Sequence, residues 1–114
     1  MIKRKGEMQI RTVEGVRGGN GSVQFLDLLT PEESLGKLRV AAETTLEKGC
    51  SIGRHPHGPD AELYIITQGK AVVNDNGEVS TVTAGDIIYT GGGAFHAIAN
   101  EEDEPVKLFA LVIN

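Results

Sequence analysis

The stretch Gly49-Cys50-Ser51-Ile52-Gly53-Arg54-His55-Pro56-His57-Gly58-Pro59-Asp60-Ala61-Glu62-Leu63-Tyr64-Ile65-Ile66-Thr67-Gln68-Gly69 decides how this chain folds. It reads as two strand-like runs, Ser51–His57 and Ala61–Thr67, split by the turn residues Gly58-Pro59-Asp60 and bounded by Lys48-Gly49 and Gln68-Gly69. In an extended strand, side chains two apart share a face about 7 Å apart, so both His55 and His57 can converge on one ion. By the same parity Glu62, Tyr64 and Ile66 share a face. A carboxylate beside Tyr64 and Ile66 is costly to bury unless it is paired or coordinated. The Gly58-Pro59-Asp60 turn folds its strand back beside the first, and Glu62 then joins the two histidines. The remaining histidine, His96, lies on a distant strand, which a closed antiparallel barrel brings across as a fourth ligand. Three imidazole nitrogens and one carboxylate oxygen suit a divalent transition metal and leave coordination positions open for substrate, oxygen or water. Manganese, iron, nickel, copper and zinc all fit such a set.

Outward from this stretch the same grammar repeats. Candidate strands lie at Val23–Leu28, Leu38–Leu46, Lys70–Asn74, Glu78–Val82, Asp86–Thr90, Ala94–Ala99 and Val106–Ile113, with Asn76-Gly77, Ala84-Gly85 and Gly91-Gly92-Gly93 as separators. Asn74-Asp75-Asn76-Gly77 predicts a tight hairpin, because Asn and Gly accept the positive φ angles such turns demand. Thr30-Pro31-Glu32-Glu33 predicts one short helical turn with Thr30 as N-cap, limited by Gly36. Many short strands at near-regular spacing imply an all-β antiparallel sandwich or barrel. The last strand is apolar on both faces, with Val106, Leu108, Ala110 and Val112 on one and Phe109, Leu111 and Ile113 on the other. Its outer face therefore needs a cover, either a second copy in a homodimer or the N-terminal arm.

Composition narrows the function. The 114 residues suffice for one core, and 15 glycines with only 2 tyrosines and 3 phenylalanines favour turns and small aliphatic packing over a helical bundle. A net charge of −5 provides no basic field for nucleic acid. Lys3, Arg4, Lys5, Arg11 and Arg17 nevertheless cluster early, and with the glycine-rich Arg17-Gly18-Gly19-Asn20-Gly21 they read as a solvated arm, residues 1–21, ahead of a domain over 22–114. The one cysteine, Cys50, has no internal disulfide partner. No apolar run approaches the roughly 18–20 residues of a membrane span, and the expected location is cytoplasmic.

These residues also carry a family resemblance. Gly49-x5-His55-x-His57-x4-Glu62-x6-Gly69 matches the first motif of the cupin superfamily, and Gly85-x5-Gly91-x-Gly93-x2-His96-x3-Asn100 the second, with Gly91 where proline is usual. The intervening Lys70–Ala84 is similar to the short spacing of small microbial cupins. The resemblance implies a jelly-roll β-barrel with His55, His57, Glu62 and His96 as metal ligands inside it. It also implies a range of activities, from dioxygenase, decarboxylase and isomerase to plain ligand binding. Among these, a metal-dependent enzyme acting on a small polar or carboxylate substrate is the leading expectation, with Tyr64 as acid/base. A non-catalytic metal- or ligand-binding or sensing module is the alternative. Arg39 and Arg54 are candidates for a substrate carboxylate, although Arg54 has the parity that points away from His55.

Overall fold

The computed structural model describes all 114 residues. Ten strands follow in order: β1 (Gln9–Glu14), β2 (Ser22–Asp27), β3 (Leu38–Leu46), β4 (Ser51–Pro56), β5 (Ala61–Gln68), β6 (Lys70–Asp75), β7 (Glu78–Thr83), β8 (Ile87–Thr90), β9 (Phe95–Ala99) and β10 (Val106–Ile113). From β2 onward every strand falls within one residue of its expected ends. The strands form a six-stranded sheet, β1-β2-β3-β10-β5-β8, and a four-stranded sheet, β4-β9-β6-β7, with every pairing antiparallel. The sheets close on one another as a flattened barrel. No helix is long and apolar enough to cross a membrane.

Period-two alternation builds the core. Along β10, Val106, Leu108, Ala110 and Val112 are buried and their neighbours are not, and β5 does the same with Glu62, Tyr64 and Ile66. Leu46, Ile66, Ile98 and Leu108 are essentially solvent-free, and each such side chain contributes about 2 kcal/mol of transfer free energy. The expected hairpin joins β6 to β7. Asn76 and Gly77 both take positive φ, 51° and 98°, and the Gly77 amide donates to Asn74 Oδ1 at 2.8 Å. That is the primed turn whose twist matches paired strands. At Thr30 the predicted N-cap forms: the Glu33 amide donates to Thr30 Oγ1 and the Thr30 amide to Glu33 Oε1. The chain then leaves through Leu35 and Gly36, both at positive φ, so the segment is a hydrogen-bonded turn and no α-helix follows.

The N-terminal segment differs from the solvated arm expected for residues 1–21. Gln9–Glu14 pairs along the whole of β2, from Gln9↔Asp27 to Glu14↔Ser22, and becomes the edge strand of the six-stranded sheet. The boundary at Ser22 is thus a turn between hydrogen-bonded neighbours. Arg11 donates to both carboxylate oxygens of Asp27, at 2.6 and 2.9 Å, across this pair.

The outer face of the six-stranded sheet carries two apolar rows. One runs Ala41, Leu111, Leu63, Tyr89 and the other Phe109, Ile65, Ile87 across β3, β10, β5 and β8. Ile87 and Tyr89 are 64% and 62% exposed. On the β2–β3 side of this face Lys5 lines a groove with Leu26, Glu43, Thr45 and Lys107.

Thr44 is fully buried between Phe25 and Leu108 in the register of β2, β3 and β10, and its hydroxyl has no hydrogen-bond partner. Replacing it with the near-isosteric valine removes an unsatisfied polar atom, so Thr44→Val is expected to raise stability by about 1 kcal/mol. Chemical denaturation checks this, and a loss of stability would show that the hydroxyl has a partner in solution.

Candidate metal centre

Four buried side chains point at one spot between the sheets. His55 on β4 and His96 on β9 are register partners in the four-stranded sheet, with their Nε2 atoms 3.0 Å apart. His57 follows β4 by one residue, and its amide and carbonyl bond Ala94 and Gly93, so the Gly91–Gly93 loop is tied to it. Glu62 comes from β5 in the opposite sheet. Its Oε1 lies 2.8 Å from His96 Nε2, 3.0 Å from His57 Nε2 and 3.4 Å from His55 Nε2. One ligand atom from each of the four lies within 4.8 Å of all the others, and the cluster can hold one metal ion.

The far side of each imidazole decides which nitrogen faces inward. His55 Nδ1 is 2.7 Å from the Gly53 carbonyl and His57 Nδ1 is 3.1 Å from Asp60 Oδ1, so both Nδ1 atoms carry protons and donate them. His96 Nδ1 is 2.8 Å from Thr90 Oγ1, the residue paired with Glu62 across β5 and β8. With these protons outside, the Nε2 lone pairs of His55 and His57 meet the carboxylate of Glu62, an arrangement of acceptors that only a cation or shared protons relieve. The donor set therefore fits a divalent transition metal, with carbonyl, hydroxyl and carboxylate partners orienting each ring.

Charges follow from the same geometry. In the metal-free protein shared protons relieve the crowding: burial pushes the Glu62 carboxyl up, but hydrogen bonds from His55 and His96 and the positive field of protonated His96 and His57 outweigh it and hold the pKa at about 2. Asp60 is also lowered: burial opposes ionisation, and its bond to His57, with the charges of His57 and Arg39, overcomes this. Tyr64 lies flat on the His96 ring, centroids 4.6 Å apart and planes 9° apart. Burial first, and then the negative charge of Glu62, raise its phenol well above the ordinary range, so Tyr64 keeps its proton.

The cluster opens into a cavity of about 270 Å³. Its polar lining beyond the cluster is Tyr64, Arg11, Arg17 and Arg39, and its walls are apolar, including Val13, Phe25, Ile52 and Val112. Arg39 lines the cavity as expected and is ion-paired with Asp60. Arg54 points away, with its guanidinium 3.6 Å over the Phe95 ring.

The structure brings together His55, His57, Glu62, His96 and Tyr64, but by a different route. Glu62 does not lie beside the histidine strand; it faces that strand from the other sheet. His96 does not reach across the barrel; it is the neighbour of His55. Arg11 and Arg17, assigned to a solvated arm, line the cavity. Their only sequence signal was the glycine pattern Gly15-Val16-Arg17-Gly18-Gly19, which forces a compact turn rather than a trailing arm.

Comparisons with known proteins agree with this picture. The family model described as "Cupin domain" matches residues 42–113. The oxalate-binding protein of Thermotoga maritima is 34% identical over 113 residues, covering 99% of this chain and 93% of that protein. A crystal structure reported as a predicted oxalate decarboxylase from Thermotoga maritima superposes with a TM-score of 0.93 at 34% identity, covering 99% of this chain and 98% of that one. KdgF from Halomonas sp. shares the fold at a TM-score of 0.73 and 18% identity, with 97% of this chain and 93% of that chain covered.

Glu62 has a pKa depressed from 4.5 to about 2, so its contribution to stability is complete above pH 4.5 and is lost as the pH falls through 2. Thermal melts of the metal-free protein should show this acid loss, and Glu62→Gln should flatten it between these limits. An unchanged slope in the variant would place the acid sensitivity elsewhere.

Proposed function

Because this chain belongs to the cupin family and gathers three imidazoles and one carboxylate around a single buried point, we propose that it holds one divalent transition metal on His55, His57, Glu62 and His96 and uses it to bind and polarise a small carboxylate. Oxalate is the first candidate, supported by the names given to the Thermotoga maritima matches. The single observation that carries the reading is the convergence of the ligand atoms within 4.8 Å, at the floor of a cavity that three arginines also line.

When bound, the metal supplies Lewis acidity toward a carboxylate oxygen. The chain supplies the rest. Thr90, the Gly53 carbonyl and Asp60 hold the rings in the ligating tautomer. The apolar walls exclude water and strengthen electrostatic contacts inside. Tyr64, neutral and fixed against His96, is the residue we assign to proton donation, as a carboxylate-lyase reaction requires when carbon dioxide leaves and the remaining fragment takes up a proton. Binding without turnover is a second reading. It is favoured by the absence from the cavity lining of any titratable side chain other than Tyr64, the arginines and the cluster itself.

We further propose that the chain is a homodimer through the outer face of the six-stranded sheet, because its rows through Leu111, Leu63, Tyr89, Ile65 and Ile87 are apolar and end at the exposed Ile87 and Tyr89.

Metal analysis should find one ion per chain in the protein as purified, and His96→Ala should remove it; a wild-type protein that never takes up stoichiometric metal would sink the ligand assignment. Calorimetry with oxalate should show metal-dependent binding. If carbon dioxide and formate are released, Tyr64→Phe should slow the release by about 100-fold or more with oxalate affinity little changed; binding with no product selects the second reading. Light scattering should give a dimer for the wild type and a monomer for Ile87→Glu/Tyr89→Glu, whereas a monomeric wild type would refute the interface.

A further inference from the structure

Of the three arginines lining the cavity, two are already neutralised. Arg11 is paired with Asp27 and Arg39 with Asp60. Arg17 has neither an ion pair nor a side-chain hydrogen bond within the chain. It is also held in a costly conformation, φ 52° and ψ 32°, which side-chain-bearing residues rarely adopt. The side chain is exposed, and the turn Val16–Gly18, rather than a free arm, sets this conformation.

The turn that holds Arg17 is built against the metal-ligand strand. The Arg17 carbonyl packs so closely on Gly53 that a Cβ there would sit 2.1 Å from it, and Gly19 packs on the Ser51 carbonyl in the same way. Ser51 ties the turn further, accepting from the Asn20 amide at 2.8 Å through Oγ and donating its own amide to the Asn20 carbonyl at 2.9 Å. Gly53 also supplies the carbonyl that orients His55. The same two residues of β4 therefore fix the position of Arg17 and the ring of a cluster histidine. The charge of Arg17 reaches Tyr64, where it opposes the rise in the phenol pKa.

We infer that Arg17 is an anion-binding residue of this cavity and that the ligand is a short-chain dicarboxylate, one end at the His55–His57–Glu62–His96 cluster and the other on the Arg17 guanidinium. The inference rests on the carboxylate reading of the site and extends it. A guanidinium without a carboxylate of its own matches a second carboxylate through paired hydrogen bonds. The apolar part of the lining, with Val13, Val16 and Ile52, suits a methylene spacer, and 270 Å³ leaves more room than a two-carbon diacid fills.

The test is calorimetric, on the manganese-loaded full chain, with malonate and succinate against propionate and butyrate, their singly charged counterparts of equal length. Arg17→Asn keeps a residue that tolerates the left-handed backbone, and Arg17→Lys keeps the charge. The wild type should bind each diacid more tightly than its monoacid. Arg17→Asn should lose about tenfold or more in diacid affinity, with monoacid affinity, bound manganese and melting temperature unchanged, and Arg17→Lys should recover part of the loss. Equal diacid affinity in the wild type and Arg17→Asn overturns the inference and leaves the metal-carboxylate reading standing. Failure of the wild type to take up manganese, iron, nickel, copper or zinc, or to bind any of these acids and oxalate once loaded, overturns that reading and this inference with it.

Discussion

A carboxylate and three imidazoles share a space a few ångströms across, sealed between two sheets, and this crowding is the constraint on which the structure turns. His55, His57, Glu62 and His96 are each 6% exposed or less. Groups of this kind go into a protein interior only with partners, and here the outward nitrogens use theirs to aim the inward lone pairs at one another. Such convergence is unfavourable in itself and becomes favourable around a cation. The register of β4 with β9, the pairing of Thr90 with Glu62 and the Asp60 contact to His57 all preserve the same aim. Loosening any of them frees a buried polar group, which is why the cluster and the barrel are not separable parts.

Around that centre the electrostatics are graded. Asp60 joins His57 to Arg39, so a guanidinium at the cavity wall is wired through one carboxylate to a ring at the floor. Arg11 is similarly tied to Asp27 and stacked 4.7 Å over Phe25. The cavity thus has a positive rim, with most of its charge already balanced, above an anionic floor residue that stays ionised well below neutral pH. The strand β1 and its following turn supply two of the three rim arginines, so the first residues of the chain complete the wall of the site.

What could be read in advance follows from which contacts are local. Strand parity put His55 with His57 and Glu62 with Tyr64, because period two operates within a single strand. The Asn76-Gly77 hairpin was readable for the same reason, since its φ angles are a property of two residues. Sheet membership was not, because whether β5 lies beside β4 or opposite it depends on β10 inserting next to β5, a pairing between segments distant in sequence. This is why Glu62 and His96 exchanged places relative to expectation. Arg11 and Arg17 were missed because a charge on an edge strand, or in the glycine-rich turn after it, looks identical whether it faces water or a cavity. The pairing of β1 along β2 distinguishes the two for Arg11, and the packing of the turn on Ser51 and Gly53 does so for Arg17. The double-sided apolar pattern of β10 was legible, and the structure shows why: the strand is central, with its inner face in the core and its half-buried outer face in the two apolar rows.

The split of the cluster between the sheets has a further consequence. Three of its members come from the small sheet and its immediate extension, already in register through β4 and β9, while the fourth is mounted on the large sheet. Any ion spanning all four becomes a rivet between the two layers, and its hold depends on their spacing to a fraction of an ångström. A change far from the cavity that shears one layer against the other would be felt there first, as weaker grip on the ion, before unfolding is measurable. The occupant of the site then doubles as a gauge of how well the two halves of the barrel are seated.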